Sequence, residues 1–199
     1  MVFNEVKYRE YANSFWDELN NTFWHKKGIF QYLPIVFVEP PTKKGMKYIN
    51  GITAIHINEK KQVYSCFPVV FIRPDNTDNE LCKTIRHEII HYFLALNYHN
   101  HEDNSALFAL ICSLFDGGAY ETLSDKAQII FDSAKTYLEQ AYELYIHCKE
   151  NITQRDAMAL KLSMMLNEID NAEHDQTSNT KSLVSTLSLI LRVCKSSIS

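Results

Sequence analysis

At 199 residues the chain is long enough for one ample core, or for a core with a smaller helical appendage. Its 46% apolar and 22% charged residues are ordinary for a soluble globular protein, and no stretch approaches the uninterrupted apolar length of a membrane span. A formal charge of −4 leaves neither half with the excess of base that non-specific nucleic-acid binding requires.

In chain order, residues 4–22 read as a helix with Tyr8, Tyr11, Phe15, Trp16 and Leu19 on an apolar side. Pro34–Glu39 reads as a short apolar strand closed by Pro40 and Pro41. Gly51–Asn58 alternates as a second strand, and Val63–Arg73 supplies a third, bent or edge-exposed at Pro68. Asn79–Leu96 has no Gly or Pro and carries Leu81, Ile85, Ile89, Tyr92 and Phe93 near helical period, so a helix is predicted there, capped by Thr77 or Asp78. A polar loop, Asn97–Asn104, precedes a helix over Ser105–Phe115, with Ser105 as its cap and Gly117-Gly118 ending it. Beyond Thr122 come three predicted helices, Ser124–Glu150, Thr153–Glu173 and Lys181–Lys195, with no recognisable chemistry of their own. The expected fold class is α+β. A small zincin-like core over residues 1–122 (N-terminal helix, three-stranded mostly antiparallel sheet, histidine-bearing helix) is followed by an α-helical region over 123–199.

The chemistry concentrates at His87-Glu88-Ile89-Ile90-His91, the H-E-x-x-H pattern. Helix positions i and i+4 lie one above the other on one face, so both imidazoles can reach a single cation with Glu88 beside it. Two histidines and a glutamate on so apolar a helix would be costly to bury without partners, and a metal satisfies all three. A catalytic Zn²⁺ takes a third protein ligand and leaves a fourth position open. The loop after the helix offers His99, His101, Glu102 and Asp103. The five cysteines are odd in number and contain no C-x-x-C pair, which argues against a zinc ribbon or a disulfide framework. The first 21 residues are amphipathic rather than signal-like, and a reducing, cytoplasmic location is expected.

The segment from Ile52 to Tyr120 resembles the SprT-like family of minimal zincin metalloproteases, which includes the Spartan-type proteases. The resemblance lies in the strand pair before the helix, in Thr84–Leu94, in Ser105 and Phe108 after the loop, and in Gly117-Gly118. It implies a third ligand at Asp103, where the family usually has His; His101 takes the role if the loop is shifted by two. A competing resemblance to ImmA/IrrE-type metalloproteases implies Glu102, which stands six residues before Phe108-Ala109, although the Leu-Leu-Met-Pro-like continuation of those proteins is missing. The order of preference is Asp103, His101, Glu102. The zinc ribbon common in SprT-like proteins is absent, and the helical segment takes its place.

The expected activity is zinc-dependent peptide hydrolysis with Glu88 as general base to water, on a protein or peptide substrate. One of the strands Gly51–Asn58 or Val63–Arg73 is expected to be an edge that pairs with the substrate, by analogy of fold. His56 reads as a surface histidine with the cleft as its alternative. Tyr98 and Tyr120 are weighed as oxyanion stabilisers against packing roles. The alternative function is a metal-stabilised adaptor of phage or mobile-element type, binding a protein partner through its C-terminal helices. Lys43, Lys44, Lys47, Lys60 and Lys61 leave contact with nucleic acid open but read as solvated loop lysines.

Overall fold

The computed structural model describes residues 3–23, 33–40, 50–57, 63–118, 121–148, 150–175 and 180–196. Lys43, Lys44, Lys47, Lys60, Lys61 and Tyr120 lie outside them. Among the described residues the architecture is α+β, with six helices and one three-stranded mixed sheet.

Helix α1 (Glu5–Thr22) starts at Asn4, whose side chain accepts from the Lys7 amide. Its spacing puts Tyr8, Ala12, Phe15, Trp16 and Leu19 on one buried face. Trp16 packs there against Tyr92 and Phe93 at ring separations of 5.1 and 6.3 Å. Those two rings belong to α2 (Asp78–Asn97), the histidine-bearing helix. Thr77, rather than Asp78, caps it: the Thr77 side chain accepts from Glu80 N, and Glu80 Oε2 accepts from Thr77 N at 2.8 Å, so two otherwise orphaned donors are satisfied reciprocally. Leu81, Ile85, Ile89, Ile90, Phe93 and Leu94 are fully buried. With α1 and α3 (Ala106–Phe115) against it and the sheet on another side, α2 is held all round.

The sheet comprises β1 (Val36–Val38), β2 (Gly51–Ile57) and β3 (Val63–Phe71) in the order β1-β3-β2. The expected mostly antiparallel sheet is mixed: β2 runs antiparallel to β3, but β1 runs parallel to it. β3 is therefore the central strand, not an edge, and this corrects the reading of Pro68. Phe71 N donates to Asn50 O and Ile72 N to Val38 O, so backbone groups alternate between the two neighbours along β3. By that alternation Pro68, which lacks an N–H, faces the β1 side, where pairing begins only at Val69. No ladder bond is lost there. Among the described residues β2, like β1, is an edge strand. Its Gly51, Thr53 and Ile55 turn their backbone groups away from β3, as the Asn50 pairing requires.

Three more helices follow among the described residues: α4 (Asp125–His147), capped by Ser124; α5 (Ile152–His174), capped by Asn151; and α6 (Thr180–Ser196). They pack on one another, α3 rests on α4 and α5, and α1 also touches α5. One apolar cluster runs without interruption from Tyr8 through Phe93 and Phe108 to Leu166 and Cys194. No helix among the described residues is long and apolar enough to cross a membrane.

Candidate metal centre

The i,i+4 spacing on α2 stacks His87 over His91, and the loop after the helix brings Asp103 against both. His87 Nε2 lies 3.3 Å from His91 Nε2 and 3.1 Å from Asp103 Oδ1; His91 Nε2 lies 3.3 Å from the same oxygen. Both rings are oriented from behind. His87 Nδ1 donates to Gly117 O at 3.1 Å and His91 Nδ1 to His101 O at 2.6 Å. A carbonyl only accepts, so Nδ1 of each ring carries a proton and the Nε2 atoms are the ones turned toward Asp103. Phe108 of α3 stacks on His91 at 4.0 Å and meets His87 edge-on at 4.9 Å, closing one side of the site.

Each support has a local cause. Asp116, at the end of α3, adopts a left-handed conformation with φ 50°, which aspartate tolerates better than most residues. Arg86 and Lys83 of α2 hold its carboxylate at 3.0 and 3.1 Å. The chain then turns so that Gly117 N donates to Cys112 O while its own carbonyl meets His87. A side chain at Gly117 would put a Cβ 2.7 Å from Ile90 Cδ1, so glycine is the residue that fits this close passage.

Glu88 leaves α2 next to the two histidines and runs under β2. It is 4% exposed, and Thr53 Oγ1 lies 2.8 Å from its Oε2 and 2.9 Å from its backbone oxygen. Gly51 passes directly over this carboxylate. Burial raises the Glu88 carboxyl above its ordinary value, although His91, His87 and the Thr53 hydroxyl pull it down. For Asp103, burial acts upward but is outweighed by the hydrogen bonds and charges of His87 and His91, which hold it well below the usual carboxylate range. Burial draws His87 down, yet Asp103 and Glu88 bring the net shift upward. The centre therefore favours positive charge.

The donor set fits a tetrahedral cation. Bonds of about 2.0–2.1 Å at tetrahedral angles place neighbouring ligand atoms about 3.3–3.4 Å apart, close to the observed edges of 3.1, 3.3 and 3.3 Å. Three potential ligand atoms converge, and a divalent ion held there by His87, His91 and Asp103 would satisfy all of them at once.

Of the four loop candidates, only Asp103 joins the imidazoles. His101 serves through its backbone carbonyl; its ring Nδ1 lies 3.3 Å from His99 O and its Nε2 3.8 Å from Glu102 Oε1. Glu102 projects into solvent, and His99 bonds Asp170. His56 is exposed and stands opposite Ser65 beside Phe67, on the sheet face away from Thr53 and Glu88. Tyr98 is buried with its hydroxyl on Ser163 of α5, which removes it as an oxyanion donor. Sequence reasoning passed over Thr53, Asp170 and Glu173. The first is an ordinary strand threonine by pattern, and the other two sit in a helix with no motif. No protein-family model matches this chain, and no curated protein or solved structure is significantly similar to it.

Proposed function

We propose that the protein is a zinc-dependent peptidase built on a minimal zincin-like core, as the SprT-like resemblance implies. The observation that carries this reading is the near-equilateral triangle of His87 Nε2, His91 Nε2 and Asp103 Oδ1, beside a buried carboxylate held by Thr53. When bound there, zinc supplies Lewis acidity, polarising a scissile carbonyl and making water nucleophilic near neutral pH. Glu88 accepts the proton of the attacking water and later delivers it to the leaving amine nitrogen. Thr53 keeps the carboxylate in place through both transfers, and the raised affinity of Glu88 for a proton suits an acceptor that must hold one between steps. The outer edge of β2, which no described strand covers, lies over Glu88, and the backbone groups of Gly51, Thr53 and Ile55 on it could pair with an extended peptide.

A denatured protein such as casein tests the reading. Cleavage by the purified protein stops on treatment with 1,10-phenanthroline and returns on addition of zinc. Cleavage that persists in the chelated protein contradicts it.

The adaptor reading has one observation in its favour. Leu160 and Met164 on α5, and Leu189 and Val193 on α6, are exposed at i,i+4 spacing. A metal-loaded protein that never cleaves peptides would favour it.

A further inference from the structure

Asp170, in the last turns of α5, is 4% exposed, and the atoms around its carboxylate are all donors. Asp170 Oδ1 accepts from His99 N at 3.1 Å, Asn100 N at 2.9 Å and Asn100 Nδ2 at 2.8 Å. Oδ2 accepts from His99 N at 3.1 Å and His99 Nδ1 at 2.9 Å, and Asn100 Nδ2 also reaches the Asp170 backbone oxygen at 3.0 Å. One turn further on, Glu173 accepts from Ala106 N at 2.8 Å and Leu107 N at 3.3 Å, the free amides that open α3. Lys126 Nζ of α4 fastens the end of α5 by donating to Glu173 O and Asp175 O, both at 2.7 Å.

These two carboxylates grip the chain on either side of Asp103. Asn100 lies three residues before it and Ala106 three residues after. The short span between also carries the His101 carbonyl that orients His91. By contrast, among the described residues the Asp103 carboxylate meets only the two imidazoles with which it would share a cation. A buried carboxylate is costly unless its lone pairs are matched, and here every match is with the metal-bearing loop.

We infer that Asp170 and Glu173 are positioning residues of the metal centre, so that α5 fixes where the third ligand stands. This inference rests on the metal-centre reading above. The helical region after residue 122 is then a working part of the site.

The test is made on the full chain with Asp170→Asn and Asn100→Ala. The first turns an amide donor toward donors, and the second removes two loop anchors without burying a charge. Zinc affinity is measured by competition with a chromophoric chelator, and the cobalt(II)-loaded protein is read by its visible absorption. Both variants are expected to bind zinc roughly tenfold or more weakly than wild type, with altered cobalt bands, at temperatures where circular dichroism shows them folded. A purely architectural role would lower the melting temperature and leave affinity and spectrum alone. If Asp170→Asn fails to fold, Asn100→Ala decides. Unchanged zinc affinity and cobalt spectrum in the folded variants overturn this inference while leaving the metal centre standing; a wild type that binds no zinc overturns both.

Discussion

Glu88→Gln is expected to lower peptide hydrolysis by about 10²- to 10⁴-fold, the usual contribution of a positioned general base, while the protein keeps its zinc. The substitution preserves shape and the Thr53 hydroxyl can still meet the amide oxygen, but the proton acceptor is gone. Glu88 is not among the three converging ligand atoms, so metal content has no reason to change. Wild-type turnover in this variant would remove Glu88 from the mechanism.

The same substitution carries a stability signature in the metal-free protein. Burial lifts the Glu88 carboxyl above its ordinary 4.5, so the folded state holds this proton to higher pH than the unfolded chain does. Between those two values the folded state binds more protons, and the Glu88 contribution to stability falls as pH rises. Above the raised value it stays at its lowest. Metal-free Glu88→Gln should therefore melt at a higher temperature than metal-free wild type at neutral pH, with the difference shrinking on acidification. Thermal melts of both apo-proteins at several pH values check this, and a less stable variant at neutral pH would contradict it.

Gly51→Ala is expected to cost about 10²-fold in turnover with zinc affinity unchanged, because misplacement by about 1 Å near the chemistry has effects of that size. A Cβ at this position would stand 2.5 Å from Glu88 Oε1, 2.7 Å from Cγ and 2.8 Å from Cδ. None of those distances is tolerable. Glu88 must swing away from Thr53, or β2 must lift off α2; either change separates the base from its hydroxyl anchor. The backbone of Gly51 has an ordinary conformation, so space alone requires glycine here. Steady-state turnover beside a zinc titration distinguishes this effect from loss of metal. A Gly51→Ala protein with wild-type turnover would mean that the edge strand does not govern the carboxylate.

The histidine-bearing helix is legible in the sequence because its signal is local. The apolar period of Leu81, Ile85 and Ile89, the Thr77–Glu80 capping box and the i,i+4 histidines all lie within a few turns. The same is true of Ser105, which accepts from Phe108 N at 3.1 Å as a helix cap should. The strand order was not legible, since nothing local to Val63–Arg73 announces that Val36–Val38 pairs with it in parallel. Loop spacing alone left four candidate ligands open, because the choice depends on a carbonyl: once His101 O orients His91, the chain turns Asp103 inward and the His101 ring aside. Thr53 and Asp170 escaped notice because they act 35 and about 70 residues away in the chain.

Metal analysis of the freshly purified chain beside His101→Ala and Asp103→Ala tests the central claim most directly. One equivalent of zinc is expected in wild type and in His101→Ala, with Asp103→Ala losing most of it. A metal-free wild type, or an Asp103→Ala protein that still holds a full equivalent, would contradict a centre formed by His87, His91 and Asp103.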